Sequence, residues 1–118
     1  MDVELLWWEG CPSTPEAIEL VREELAALEL DPERLRITEI RTDDDAQNAR
    51  FVGSPTIRVE GRDVQPPKDE PVGLTCRVYR WRDGRVAPLP ERADVRQALL
   101  RAKGGGATDG KRNRDAGG

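Results

Sequence analysis

The stretch Val3-Glu4-Leu5-Leu6-Trp7-Trp8-Glu9-Gly10-Cys11-Pro12-Ser13-Thr14-Pro15-Glu16 decides how this 118-residue chain is read. Its opening is a short apolar run ending in two tryptophans, the pattern of a strand buried on both faces. Glu9-Gly10-Cys11-Pro12 ends the run, and a helix follows. Thr14 can cap it, Pro15 suits its first position, and Glu16 places negative charge at the positive end of the helix dipole. Ile18, Val21, Leu25 and Leu28 then recur every three or four residues, which predicts a helix to about Leu30, before Asp31-Pro32. A cysteine therefore falls where a buried strand hands over to a helix.

Working outward, Leu35 to Arg41 alternates apolar and polar residues and reads as a second strand, so strand, helix and strand form a parallel crossover. Thr42 caps a short helix through Asp43-Asp44-Asp45 to about Arg50. Adjacent helical positions do not converge on one ion, so the three aspartates read as a solvated helix start rather than a metal site. Phe51-Val52-Gly53-Ser54 leads into a strand from Pro55 to Glu60, with proline at the position where a missing ladder donor is tolerated. Arg62 to Gly73, with three prolines, reads as a long loop. Leu74 to Trp81 alternates as a further strand, and Asp83-Gly84 turns the chain into a short edge strand at Val86-Ala87-Pro88. A last helix starts at Pro90 or Glu91 and ends at Lys103, with Val95, Ala98, Leu99 and Ala102 on one face. Residues 104–118 hold six glycines and no large apolar side chain, and are expected to form a disordered tail. Gly105 to Lys111 approaches a phosphate-loop pattern, but Arg112 stands where that motif needs serine or threonine.

Composition narrows the chemistry. Apolar and charged residues each make up 36% of the chain, as expected for one soluble domain. Lys and Arg number 19 against 23 Asp and Glu, a net charge of −4 that gives no general attraction to nucleic acid or anionic lipid. No stretch approaches the roughly 20 apolar residues that span a bilayer, and the N-terminus has no secretory pattern, so a cytoplasmic protein is expected. The chain has no histidine, which removes Ser-His and Cys-His catalytic pairs and imidazole metal ligands. Two cysteines remain, and in a reducing compartment they are free, reactive or transiently paired rather than a structural disulfide.

Cys11, with Pro12, Ser13 and Thr14 after it, sits where unpaired backbone N–H groups and the helix dipole favour a thiolate. The same position also suits a small residue filling a tight turn. An antiparallel strand beginning at Pro55 starts at the sheet end where the first strand finishes, so Ser54, Pro55 and Thr56 can flank the sulfur. The Ser54–Pro55 bond is expected to be cis, with the ring against Cys11 and the Ser54 backbone offered to an incoming peptide or thiol. A trans proline guarding a strand edge is the alternative.

Strand, cysteine, helix, strand and helix, followed by Gly53-Ser54-Pro55-Thr56 opening a strand and then a further strand and helix, resembles the thioredoxin and glutaredoxin fold. The likeness covers about residues 2–103. It is nearest to small bacterial thioredoxin-like proteins, some labelled alkylmercury-lyase-like, that share a Gly-Cys-Pro turn (Gly10 to Pro12), a Gly-Ser-Pro-Thr strand (Gly53 to Thr56) and a Gly-Leu-x-Cys-Arg-x-Tyr strand (Gly73 to Tyr79). The resemblance implies an α/β chain over residues 1–103, folded as a three-layer α/β/α sandwich on a mixed sheet of four to five strands. It further implies an attacking thiol at Cys11 and a substrate-facing cis-proline at Pro55.

The resolving cysteine of thioredoxins has no counterpart three residues on, where Thr14 stands. A mixed disulfide on Cys11 must then be resolved by a small thiol such as glutathione, by another protein or by Cys76. In a simple hairpin Cys76 lies about 16 Å from Cys11, at ~3.3 Å per residue, beyond disulfide reach unless the 62–73 loop folds back and shifts the register. Its other reading is a buried small side chain. The expected function is thiol-based redox chemistry through Cys11, with a protein or small-molecule thiol or disulfide as partner and no cofactor. Two alternatives stand beside it. Cys11 and Cys76 could bind a soft metal or organomercurial, although Thr14 cannot deliver the proton that an aspartate supplies to the leaving carbon in organomercurial lyases. The chain could also be a binding module using the Ser54–Pro55 edge and Trp7/Trp8, although that tryptophan pair reads first as core packing.

Overall fold

The computed structural model describes residues 1–104. The predicted tail beyond Gly104 and the Gly105–Lys111 run lie outside the described residues.

The apolar run forms β1 (Val3–Trp7), and the capped segment forms α1 (Thr14–Ala27), with Ser13 rather than Thr14 at the N-cap. After a short 3₁₀ turn come β2 (Leu35–Glu39), α2 (Asp43–Ala49), β3 (Thr56–Val59), β4 (Arg62–Asp63), β5 (Tyr79–Arg80), β6 (Val86–Ala87) and α3 (Arg92–Gly104). The Thr42 hydroxyl caps α2 by accepting from the Asp45 N–H at 3.0 Å.

The sheet is mixed and four-stranded, in the order β2-β1-β3-β4. β1 pairs parallel with β2, setting Leu5 beside Ile37, and antiparallel with β3, setting Leu5 beside Ile57 and Leu6 beside Thr56. Because side chains alternate across a strand, β1 feeds two cores. Val3 and Leu5 pack with Val21 and Leu25 of α1 and with Val95 and Leu99 of α3. Leu6 packs with Ile40, Ala46 of α2 and Phe51. The tryptophans follow the same alternation, Trp7 joining the first core and Trp8 the second.

Two expectations about strands are corrected. The segment read as the start of a loop supplies β4: Glu60 (φ 54°) and Gly61 (φ 78°) are both left-handed, as a two-residue hairpin turn requires. Leu74–Trp81 is not one strand of the main sheet. Only Tyr79–Arg80 is regular, and it pairs with β6 in a separate two-stranded sheet. The preceding residues are held by the 51–54 segment instead: Gly73 N–H donates to Phe51 O at 3.0 Å, and Cys76 forms a parallel bridge with Ser54.

A buried carboxylate joins the two helices on the first face. Glu24 of α1, whose side chain is 2% exposed, accepts from Arg96 Nε at 2.8 Å and from Arg92 at 3.1 Å, both on α3. No described helix is long and apolar enough to cross a membrane.

Candidate functional site

β1 ends at Trp7, and the chain turns at once: Cys11 N–H donates to Trp8 O at 3.2 Å, and α1 begins at Thr14. This turn sets Cys11 under the start of the helix with 5% of its surface exposed. Trp8 N–H donates to the Ser54 hydroxyl at 3.1 Å and ties the turn to the segment before β3. The Ser54–Pro55 peptide is cis. In its protonated form the Cys11 thiol donates to Ser54 O at 3.2 Å, and the Ser13 hydroxyl lies 3.4 Å from the sulfur. The structure therefore brings Cys11, Ser13 and Ser54 together. Pro12 is exposed beside them, and the buried Thr14 Oγ1 has no hydrogen-bond partner among the described residues.

The open pairing edge expected at Ser54 is occupied by the chain itself. Ser54 N–H donates to Thr75 O at 2.8 Å, and Arg77 N–H donates to Ser54 O at 2.9 Å. Ser54, Pro55 and Thr56 are all buried. The Pro55 carbonyl accepts from the Tyr79 hydroxyl at 2.6 Å, and the Thr56 hydroxyl donates to Gly53 O at 2.6 Å. These residues form the wall of the thiol site rather than a free docking edge.

The same occupation overturns the separation of about 16 Å expected for Cys76 in a simple hairpin. Cys76 is opposite Ser54 and exposed, and its thiol lies 3.9 Å from Gly10 O, in the turn that carries Cys11. The simple-hairpin register fails because β3 already has β4 on its far side, which leaves residues 75–77 to pair with the chain ahead of β3. Both cysteines are free thiols.

The environment divides their acidities. Burial works against ionisation of Cys11, but donors outweigh it: the Ser13 hydroxyl, the Cys76 thiol, the Ser13 backbone and Ser54, so its pKa falls below that of an ordinary thiol. Cys76 moves the other way, first because its proton is shared with Cys11 and then through burial and the neighbouring charge. The two shifts diverge, so Cys11 ionises before Cys76.

Sequence reasoning missed the residue that holds Cys76 in place. The Arg77 guanidinium is buried, pairs with Asp63 Oδ2 at 2.6 Å, donates to the Gln65 carbonyl and lies 4.4 Å from the Tyr79 ring centroid. The available signal was an arginine on the same alternating face as Tyr79. Asp43, Asp44 and Asp45 lie in the first turn of α2, and among the described residues no three Cys, Asp or Glu side chains gather as a metal cage.

Comparison with protein-family models, with curated proteins and with solved structures finds no match for this chain.

Proposed function

We propose that this chain is a thiol-based redox protein of thioredoxin-like architecture, in which Cys11 is the stabilised thiolate and Cys76 its partner. The observation that carries the reading is the Ser54 backbone: its carbonyl takes the Cys11 thiol at 3.2 Å while its amide and carbonyl hold the two residues flanking Cys76. Two sulfurs of unlike acidity, one under a helix start and one on an exposed segment, are suited to cycling between a dithiol and an internal disulfide. The order strand, cysteine, helix, with a proline-led strand alongside, supports the thioredoxin-like description.

The chemistry balances without a cofactor. A disulfide RSSR accepts the electron pair of the two cysteines, leaving as two RSH while the Cys11–Cys76 bond forms. Equilibration with glutathione buffers, followed by thiol counting and intact mass, tests this. The expected result is loss of both free thiols in the monomer, with a mass lower by two hydrogens. Two thiols that stay free, or that bridge only between chains, would overturn the reading. The proximity of the two sulfurs also suits a soft cation held by two thiolates. Stoichiometric Hg(II) binding that needs both cysteines, together with no disulfide formation, would favour that second reading.

A further inference from the structure

The more acidic thiol is not the accessible one. Cys11 keeps 5% of its surface, whereas Cys76 is exposed. Thiol–disulfide exchange proceeds by attack on one sulfur with departure of the other, so access decides which sulfur is attacked, and the more stable thiolate leaves more readily.

The surface beside Cys76 is a built groove. It is an open cleft of about 630 Å³, within the volume range of small-molecule sites. Cys76 shares its lining with Lys68, Glu70, Arg80, Val78 and Val86. Val78 and Val86 are 56% and 62% exposed, the two most exposed large apolar side chains among the described residues. Lys68 and Arg80 together with Asp69 and Glu70, beside the exposed Val78 and Val86, fit a small molecule carrying both an ammonium and a carboxylate. A protein strand does not fit, because the backbone it would pair with at Ser54 is already bonded to Thr75 and Arg77.

We propose that Cys76 is the sulfur that exchanges with external ligands, that the ligand is a low-molecular-weight zwitterionic thiol or its disulfide seated in this groove, and that Cys11 is the internal leaving thiolate. This rests on the redox reading above and names its substrate class. In the reducing direction RS⁻ attacks Cys76 Sγ of the Cys11–Cys76 bond. That bond breaks, its electron pair leaves on Cys11, and RS is held on Cys76 as a mixed disulfide. A second RS⁻ attacks the bound R sulfur, RSSR departs, and the Cys11 and Cys76 thiolates take up the two protons that the two RSH released. Net, the protein disulfide and two RSH give the dithiol and RSSR; oxidation is the reverse.

Glutathione disulfide is the probe, with Cys11→Ser and Cys76→Ser in the full chain and the adduct located by peptide mass. The expected result is glutathione on Cys76 in the first variant at least about tenfold faster than on Cys11 in the second. An adduct on Cys11 that forms as fast or faster overturns the proposal. The unsubstituted chain provides a check independent of variant folding: brief treatment of its disulfide form with glutathione, then alkylation, places glutathione on Cys76 and the alkyl group on Cys11, and the reverse pattern overturns the assignment. For the groove, Val78→Trp slows exchange with glutathione disulfide more than with hydroxyethyl disulfide; equal effects on both overturn the seat. Absence of any internal disulfide in the unsubstituted chain sinks the redox reading itself, whereas a disulfide with glutathione found on Cys11 sinks only this inference.

Discussion

Gly53 and Arg77 are in backbone contact: a Cβ on Gly53 would lie 2.9 Å from Arg77 Cα, closer than carbon atoms pack. Gly53 also has φ +140°, a conformation that side chains of L-residues rarely adopt. The absence of a side chain at residue 53 therefore lets the 75–77 segment lie against Ser54 and sets Cys76 over the Cys11 turn.

Gly53→Ala should separate the two thiols. The expected outcome is a chain destabilised by about 1–3 kcal/mol from strain and displacement. Its Cys11–Cys76 disulfide should form at least severalfold more slowly, read by thiol counting in a glutathione buffer, and an unchanged rate would show that the contact does not position Cys76.

Asp63→Asn leaves the buried Arg77 guanidinium without its carboxylate. Breaking a buried pair from one side costs about 3–5 kcal/mol. Denaturant unfolding should register a loss of that order, and protease cleavage should rise within 66–78 before the rest of the domain opens.

Ser13→Ala removes a hydroxyl 3.4 Å from the Cys11 sulfur and the foremost donor to its thiolate. The Cys11 pKa should rise toward that of an ordinary thiol, so its titration by thiolate absorbance moves to higher pH. Cys76→Ser keeps a donor next to the sulfur and should move that titration less than Ser13→Ala does.

Glu24 gives the protein an acid-sensitive joint. Hydrogen bonds from Arg96 come first, and together with those from Arg92 and the charges of both arginines they outweigh burial and hold its carboxyl below the ordinary glutamate range. A group whose folded pKa is depressed contributes stability above its unfolded pKa, about 4.3, and loses it as pH falls through the folded value. Urea midpoints of the unsubstituted chain should therefore drop over that acid window. Glu24→Gln should cost about 1–2 kcal/mol at neutral pH, given arginines that are half exposed, and should flatten that part of the acid dependence.

The local elements near the N-terminus were legible because their signals are local. β1 is an uninterrupted apolar run, Pro15 and Glu16 mark the start of α1, and Thr42 marks that of α2. The proximity of Cys11 to Ser54 was also readable, since an antiparallel neighbour of β1 must begin where β1 ends. β4 was missed because its turn, Glu60-Gly61, lacks the asparagine or aspartate that usually marks a two-residue hairpin. The alternation over 74–81 predicted a single strand, but residues that pair with two different neighbours can keep one side-chain period.

By itself, then, the chain's order of residues determined the strand-to-helix turn that carries Cys11 and the apolar stripes that bury both faces of the sheet, since both follow from neighbours a few positions apart. Tertiary structure alone decided that Cys76 joins that turn. Its position depends on β4 taking the far edge of β3, on a bare backbone at Gly53 and on a buried Arg77–Asp63 pair, contacts between segments whose sequence spacing carries no periodic signal.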